Sequence, residues 1–136
     1  MADWISWNAD YSVKVPLIDE QHKELFRLFN EVGDALWDGK GKDKIQGALN
    51  FLADYTVEHF KAEEELMVRH GYPKYEFHKK VHDGFVQEVG SFVVRYKGED
   101  VSSDLVVSVV NKLGDWVRNH VMEMDQEVGK YLQSRI

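Results

Sequence analysis

Seven side chains in this sequence have the types and spacing to hold metal: His22, His59, Glu63, His78, His82, His120 and Asp125. On an α-helix a step of four residues turns a side chain by only about 40° and lifts it by about 6 Å. His59 with Glu63, and His78 with His82, therefore each share a face, and each pair has the reach to grip one ion. Between the pairs lies His70-Gly71-Tyr72-Pro73, in which Gly71 and Pro73 are helix stop and restart signals. The chain is expected to turn back there and set the second pair beside the first. Asp125 lies five residues past His120, a rotation of about 140°, so it borders the face of that histidine and is read as a ligand reaching in sideways.

The elements that must position these groups follow from apolar periodicity. Asp19 reads as the cap of a first helix running to about Gly39, with Ile18, His22, Leu25, Phe29, Val32 and Leu36 on its stripe. After the Gly39-Lys40-Gly41 turn, a second helix from about Asp43 to His70 carries Ile45, Leu49, Leu52, Tyr55, His59, Glu63 and Leu66. A third, from about Pro73 to Lys97, carries Tyr75, His78, His82, Phe85, Val89, Phe92 and Tyr96 before Gly98. Ser102 and Ser103 are candidate caps for a fourth, with Val106, Val109, Leu113, Trp116, His120, Met124 and Val128 inward. Residues 1–18 show no sustained helical period and read as an extended arm.

Short links make sequential helices antiparallel neighbours, so the expected fold is all-α: an up-down-up-down antiparallel four-helix bundle with an extended N-terminal arm. One domain is expected over residues 1–136, with the arm at 1–18 and the bundle at 19–133. In that topology all seven donors fall within about three turns of one end of the bundle. Gly33, Gly84, Gly90, Gly114 and Gly129 interrupt the helices at roughly 1 kcal/mol each relative to alanine, and close helix approach is the expected reason for some of them.

Composition narrows the function. A chain of 136 residues with 43% hydrophobic content is enough for one core. Its 24 acidic against 17 basic residues give a net charge of −7, which repels nucleic acid and anionic membrane, so neither is an expected partner. The absence of cysteine excludes disulfides, thiolate ligands and thiol nucleophiles and suits a reducing compartment. The opening Met1-Ala2-Asp3-Trp4 lacks the basic-then-apolar pattern of an export signal, and a cytoplasmic location is expected.

Taken singly, a histidine on an apolar stripe is more often a hydrogen-bonded core residue than a ligand. His70, beside Gly71 at a helix C-terminus, is off the pattern and is left out. The other five histidines converge on one layer with two carboxylates. Burying even one unpaired carboxylate costs several kcal/mol, so seven polar groups in a core call for positive charge between them. Tyr55 and Trp116 read as core, and Glu64, Glu65, Lys79 and Lys80 as solvated faces.

Seven imidazole and carboxylate donors exceed the four of a structural zinc site, and no zinc-protease signature is present. Two ions are implied, iron being the best fit to such donors and manganese the next. If Glu63 and Asp125 each bridge both ions and one solvent-derived group bridges as well, the five histidines divide three to two. One ion then has six ligands and the other five, leaving a position where a small diatomic molecule would enter.

At this point the sequence resembles the hemerythrin family, above all its single-domain bacterial members. The carrying residues are Ile18-Asp19-Glu20-Gln21-His22, His59-Phe60 with Glu63 and Met67, Gly71-Tyr72-Pro73, His78 with His82, and Trp116 with His120 and Asp125. The resemblance implies that His78, His82 and His120 hold one iron and His22 and His59 the other, with Glu63, Asp125 and an oxo or hydroxo group bridging the two Fe ions. It also implies reversible O2 binding at the open position. Two electrons and the bridging proton move onto the ligand, and the net charge of the centre is unchanged. A dry pocket therefore does not penalise the reaction. Helix geometry makes Phe26, Phe60, Trp116, Val117 and Val121 candidates for the apolar wall of that pocket.

The expected function is O2 storage, delivery or scavenging by a binding protein rather than an enzyme. An alternative is the O2-sensing or redox-sensing part of a larger signalling receptor, whose signalling domains would then be partners. A di-iron oxidase or peroxidase is a third reading, but ferritin-like oxidase sites pair four carboxylates with two histidines and this chain inverts that ratio.

Overall fold

The computed structural model describes residues 4–39, 41–98 and 102–135. Met1 to Asp3 of the arm, Lys40 of the first turn, residues 99–101 before the fourth helix, and Ile136 lie outside the described residues. The helices are α1 (Pro16–Trp37), α2 (Lys42–Arg69), α3 (Tyr75–Gly98), α4 (Ser103–His120), a π-helical turn over Val121–Asp125, and α5 (Gln126–Gln133), which continues the line of α4. Among the described residues there is no strand. α2 packs against both α1 and α3, and α1 against α4, the neighbour relations of an up-down bundle. α3 and α4 meet through stacking of Phe85 on Trp116, with ring centroids 3.9 Å apart. Among the described residues, no helix is long and apolar enough to cross a membrane.

The predicted bundle forms, with adjustments whose causes are local. α1 begins at Pro16, not Asp19, because proline's fixed φ suits the first helical position. Asp19 does not cap the helix. Its carboxylate accepts hydrogen bonds from Ser12 Oγ at 2.6 Å and the Val13 backbone N–H at 2.8 Å, fastening the arm. α2 begins at Lys42, one residue before the expected Asp43, directly after Gly41 with its φ of 81°. Pro73 stands in the turn before α3 and not at its start. Ser102 caps α4 as expected, accepting from the Leu105 N–H. On α2 the buried face is shifted slightly: Thr56, Phe60 and Met67 are buried, while Tyr55 and Leu66 are half-buried.

The break between α2 and α3 is fixed by Gly71 at φ of 68°. Its N–H bonds to Val68 O at 3.2 Å and the Tyr72 N–H to Met67 O at 2.8 Å, the paired bonds of a glycine-terminated helix. Tyr131 adds a hydroxyl that donates to His70 O and Gly71 O, so carbonyls at the helix end have donors.

The apolar residues form two buried groups. The larger runs along the bundle and includes Phe26, Phe29, Leu49, Leu52, Phe60, Phe85, Val117 and Val121. The smaller, with Val13, Val15, Ile18, Met67, Tyr72, Val128 and Leu132, closes the end of the bundle near the break. The buried polar side chains are His22, Thr56, His59, Glu63, His78, His82, His120 and Asp125.

The arm differs from a single extended run. It contains a 3-10 turn over Ala9–Tyr11 and ends at Val15. Asn30 grips its first described residues, accepting from the N–H groups of Trp4 and Ile5 and donating to Ile5 O at 2.7 Å. Two of the helix glycines are explained by this arm and not by helix-to-helix approach. A Cβ at Gly33 would run into the Trp4 indole, and one at Gly129 into the backbone carbonyl of Val13. Added Cβ atoms at Gly84, Gly90 and Gly114 meet open space, and nothing in the structure requires glycine there.

These contrasts predict opposite outcomes for one substitution. Gly129→Ala must push a backbone segment away and is expected to destabilise by roughly 1–3 kcal/mol. Gly84→Ala, in an exposed stretch of α3, is expected to stabilise by about 0.5–1 kcal/mol. Thermal or denaturant melts of the two variants against the parent check both signs.

Candidate metal centre

α2 supplies His59, Phe60 and Glu63 from successive turns, and α3 supplies His78 and His82 from the same end of the bundle. Each four-residue step stacks its two donors on one face, as the spacing predicts. α1 brings His22 and α4 brings His120. Asp125 is placed differently from the sequence expectation. The turn from Val121 to Asp125 is π-helical, with more residues per turn than an α-helix, so five residues carry Asp125 back onto the face of His120. It points into the cluster directly instead of reaching in from the border.

The seven donors form two overlapping groups. One comprises Glu63, His78, His82, His120 and Asp125, the other His22, His59, Glu63 and Asp125, and within each the donor atoms lie within 4.8 Å of one another. Both carboxylates belong to both groups, and their oxygens divide between them. Glu63 Oε1 lies 3.1 Å from His78 Nε2 and 3.4 Å from His82 Nε2, while Oε2 lies 3.4 Å from His59 Nε2 and 3.8 Å from His22 Nε2. Asp125 Oδ1 is 3.1 Å from Nε2 of both His78 and His120, while Oδ2 is 3.1 Å from His22 Nε2. Each carboxylate thus offers one oxygen to a three-histidine side and one to a two-histidine side.

The spacing of the donors fits a metal. His120 Nε2 lies 3.0 Å from both His78 Nε2 and His82 Nε2. Ligands at right angles on an ion with bonds of about 2.1 Å sit about 3.0 Å apart, whereas a tetrahedral angle would part them by about 3.4 Å. All four oxygens of Glu63 and Asp125 are buried without a hydrogen-bond partner among the described residues, as are both nitrogens of His22. The imidazoles approach these oxygens, but no N–H is aligned on them. Such orphaned lone pairs converging on one point are what a cation satisfies.

Electrostatics gives the same demand for positive charge. Burial favours the neutral form of both carboxyls, yet the surrounding imidazoles reverse this and hold Glu63 and Asp125 well below the usual carboxylate range. In the metal-free protein, burial opposes charge on His22 and His78, but the Asp125 and Glu63 carboxylates outweigh it and push each histidine up to about 9. Burial lowers His82 as well, and Glu63 and Glu64 raise it overall. His59 goes the other way, down to about 4, because burial dominates there. The two carboxylates therefore stay ionised and gather protons on the histidines around them.

Two residues outside the seven orient the imidazoles. Gln21 Oε1 lies 2.8 Å from His59 Nδ1, and Glu64 Oε2 lies 2.8 Å from His82 Nδ1. An amide or carboxylate oxygen only accepts, so Nδ1 carries the proton and Nε2 keeps its lone pair for the interior. Glu64 is thus not part of a solvated face as its sequence neighbourhood implied, whereas Glu65 and Lys80 are exposed. Neither orienting role was read from sequence. The available signal was a polar residue directly beside a ligand on the flank of an apolar stripe.

The expected apolar wall is distributed unevenly. Phe60 stacks face to face on His82 at 3.8 Å and also contacts His59, His120 and Trp116. Trp116 stacks on His120 at 4.6 Å, on the three-histidine side. Phe26, Val117 and Val121 are buried in the same apolar group as Phe60. His70 caps the end of α2, outside the cluster.

Known proteins are similar to this chain in sequence and in fold. Residues 13–132 match the family model described as the hemerythrin HHE cation binding domain. A bacteriohemerythrin of Pseudomonas aeruginosa is 36% identical over 120 residues, covering 88% of this chain and 75% of that protein. One from Methylococcus capsulatus is 28% identical over 131 residues, covering 96% and 98%. A crystal structure of wild-type hemerythrin superposes with a TM-score of 0.85 at 30% identity, covering 94% of this chain and 97% of that one. With its four-helix bundle and its buried cluster of five histidines and two carboxylates, the chain belongs to the hemerythrin family.

Proposed function

We propose that this chain binds O2 reversibly at a non-haem pair of iron ions, for storage, delivery or scavenging. His78, His82 and His120 hold one ion, His22 and His59 hold the other, and Glu63 and Asp125 bridge them. The observation that carries this reading is the division of each carboxylate's oxygens between a set of three histidines and a set of two. When bound, an iron pair supplies two electrons to O2 and takes them back on release.

The chain's own residues account for the rest. Glu63 and Asp125 bring two negative charges that partly neutralise the ions in a water-poor core. Gln21 and Glu64 fix the His59 and His82 tautomers, so Nε2 faces inward without a proton. The unequal histidine count leaves the two-histidine side one donor short, and that is the side for a small diatomic ligand. Phe26, Phe60, Val117 and Val121 exclude water and so slow irreversible loss of electrons. Trp116 and Phe60 wedge His120 and His82 in place. Five histidines with two carboxylates give less anionic support to high-valent iron than four carboxylates would, which favours binding over oxidation.

The deciding experiment is iron analysis with an anaerobic-to-air optical titration. About two irons per chain and a visible band that bleaches when O2 is removed are expected. Absence of metal, or oxidation in one direction only, would overturn the proposal.

A second expectation concerns protons. His22 and His78, raised to about 9, are protonated at neutral pH in the metal-free protein, and a ligating Nε2 must give its proton up. Competition from protons is lost as pH rises through about 9, so metal affinity strengthens from pH 6 to pH 9 and uptake at pH 7 releases protons. Anaerobic Fe(II) titrations at several pH values, and calorimetry in buffers of different ionisation heat, test this. Equal affinity at pH 6 and pH 9 would refute it.

A third concerns the wall. Val121→Glu, or the near-isosteric Val121→Thr, is expected to shorten the lifetime of the O2-dependent absorption band severalfold by admitting water. Equal lifetimes in variant and parent would contradict the assignment.

A further inference from the structure

The two outer hydrogen bonds described for His59 and His82 are matched in length and unmatched in charge. His59 Nδ1 meets the neutral amide oxygen of Gln21, and His82 Nδ1 meets a carboxylate oxygen of Glu64, each at 2.8 Å. An anionic acceptor draws the Nδ1 proton further and makes the imidazole a stronger donor through Nε2. The side chain of Glu64 is only 14% exposed, yet it lines a surface cavity of about 530 Å³ with Lys61, Glu65, Val68, Arg69 and Tyr75. One edge of the carboxylate thus reaches water, and its charge costs far less there than the fully buried charges of Glu63 and Asp125. Phe60, stacked flat on the His82 ring, prevents the imidazole from turning away from this acceptor.

We infer that Glu64 is a positioning residue that makes the three-histidine half of the centre the more electron-rich half. It does so by polarising His82 through Nδ1, which Gln21 does not do for His59. This rests on the iron-pair reading above. The electron-rich half is also the half with the fuller donor set, so the two asymmetries reinforce each other. Added negative charge near an ion favours its oxidised state, so Glu64 lowers the reduction potential of the pair and tightens metal binding. Gln21, placed against the two-histidine side, leaves that side with weaker donation, which favours release of a ligand bound there.

Three variants separate charge from geometry. Glu64→Gln keeps an oxygen acceptor and removes the charge, Glu64→Ala removes both, and Gln21→Glu installs the charge on the other side. Anaerobic Fe(II) affinity is measured by chelator competition and the potential by spectroelectrochemical titration. NMR of the metal-free protein follows the His82 ring N–H as a readout independent of iron. Affinity is expected to fall about tenfold in Glu64→Gln and up to about 100-fold in Glu64→Ala. The potential rises in Glu64→Gln and falls in Gln21→Glu, and the downfield His82 N–H signal weakens in Glu64→Gln and disappears in Glu64→Ala. A parent that takes up two irons, with affinity and potential unchanged in Glu64→Gln, would overturn this inference alone. A parent that takes up no iron would overturn the iron-pair reading and this inference with it.

Discussion

Two ionised carboxylates in an apolar interior are the constraint on which the rest of this structure depends. Glu63 and Asp125 are fully buried, and among the described residues no hydrogen-bond donor is aligned on their oxygens. Uncompensated, such groups cost several kcal/mol apiece, a large share of the net stability of a domain. Three of the imidazoles around them, His22, His78 and His82, shift toward holding protons, which cations bound in the same place would displace. Positive charge at the centre, proton or cation, is what offsets these two carboxylates.

That requirement explains why the supporting parts are rigid. The imidazoles are clamped by rings and by outer acceptors: Phe60 on His82, Trp116 on His120, Gln21 on His59 and Glu64 on His82. Phe85 stacks on the far face of Trp116, so the position of His120 is transmitted into the main apolar core. At the closing end, Val13, Ile18, Met67 and Leu132 seal the cluster from solvent. Helix packing and donor geometry are thus one structure, since a displaced rod would misplace a ligand.

The sequence was most legible where chemistry followed α-helical spacing. His59 with Glu63 and His78 with His82 could be paired from four-residue steps alone, and Gly71 marked the reversal that brings the pairs together. Legibility failed where the backbone left that period. Asp125 was assigned a sideways approach because the count assumed an α-helix, and the π-helical turn that corrects its direction has no dependable signature in residue types. Glu64 was misread because charge next to a core stripe usually means solvent, and only tertiary placement of α3 beside α2 reveals its acceptor role. The lack of helical period reads as an extended arm, whereas the arm carries a 3-10 turn, and its docking on Gly33 and Gly129 depends on contacts over more than twenty residues of sequence.

The π-helical turn is held from outside by the opposite end of the chain. Gln126 and Gln133 donate to carbonyls of the arm at Asp10, Ser12 and Val13, and Gly129 makes room for Val13. A disturbance of the arm is thereby a disturbance of the backbone that aims Asp125 into the centre.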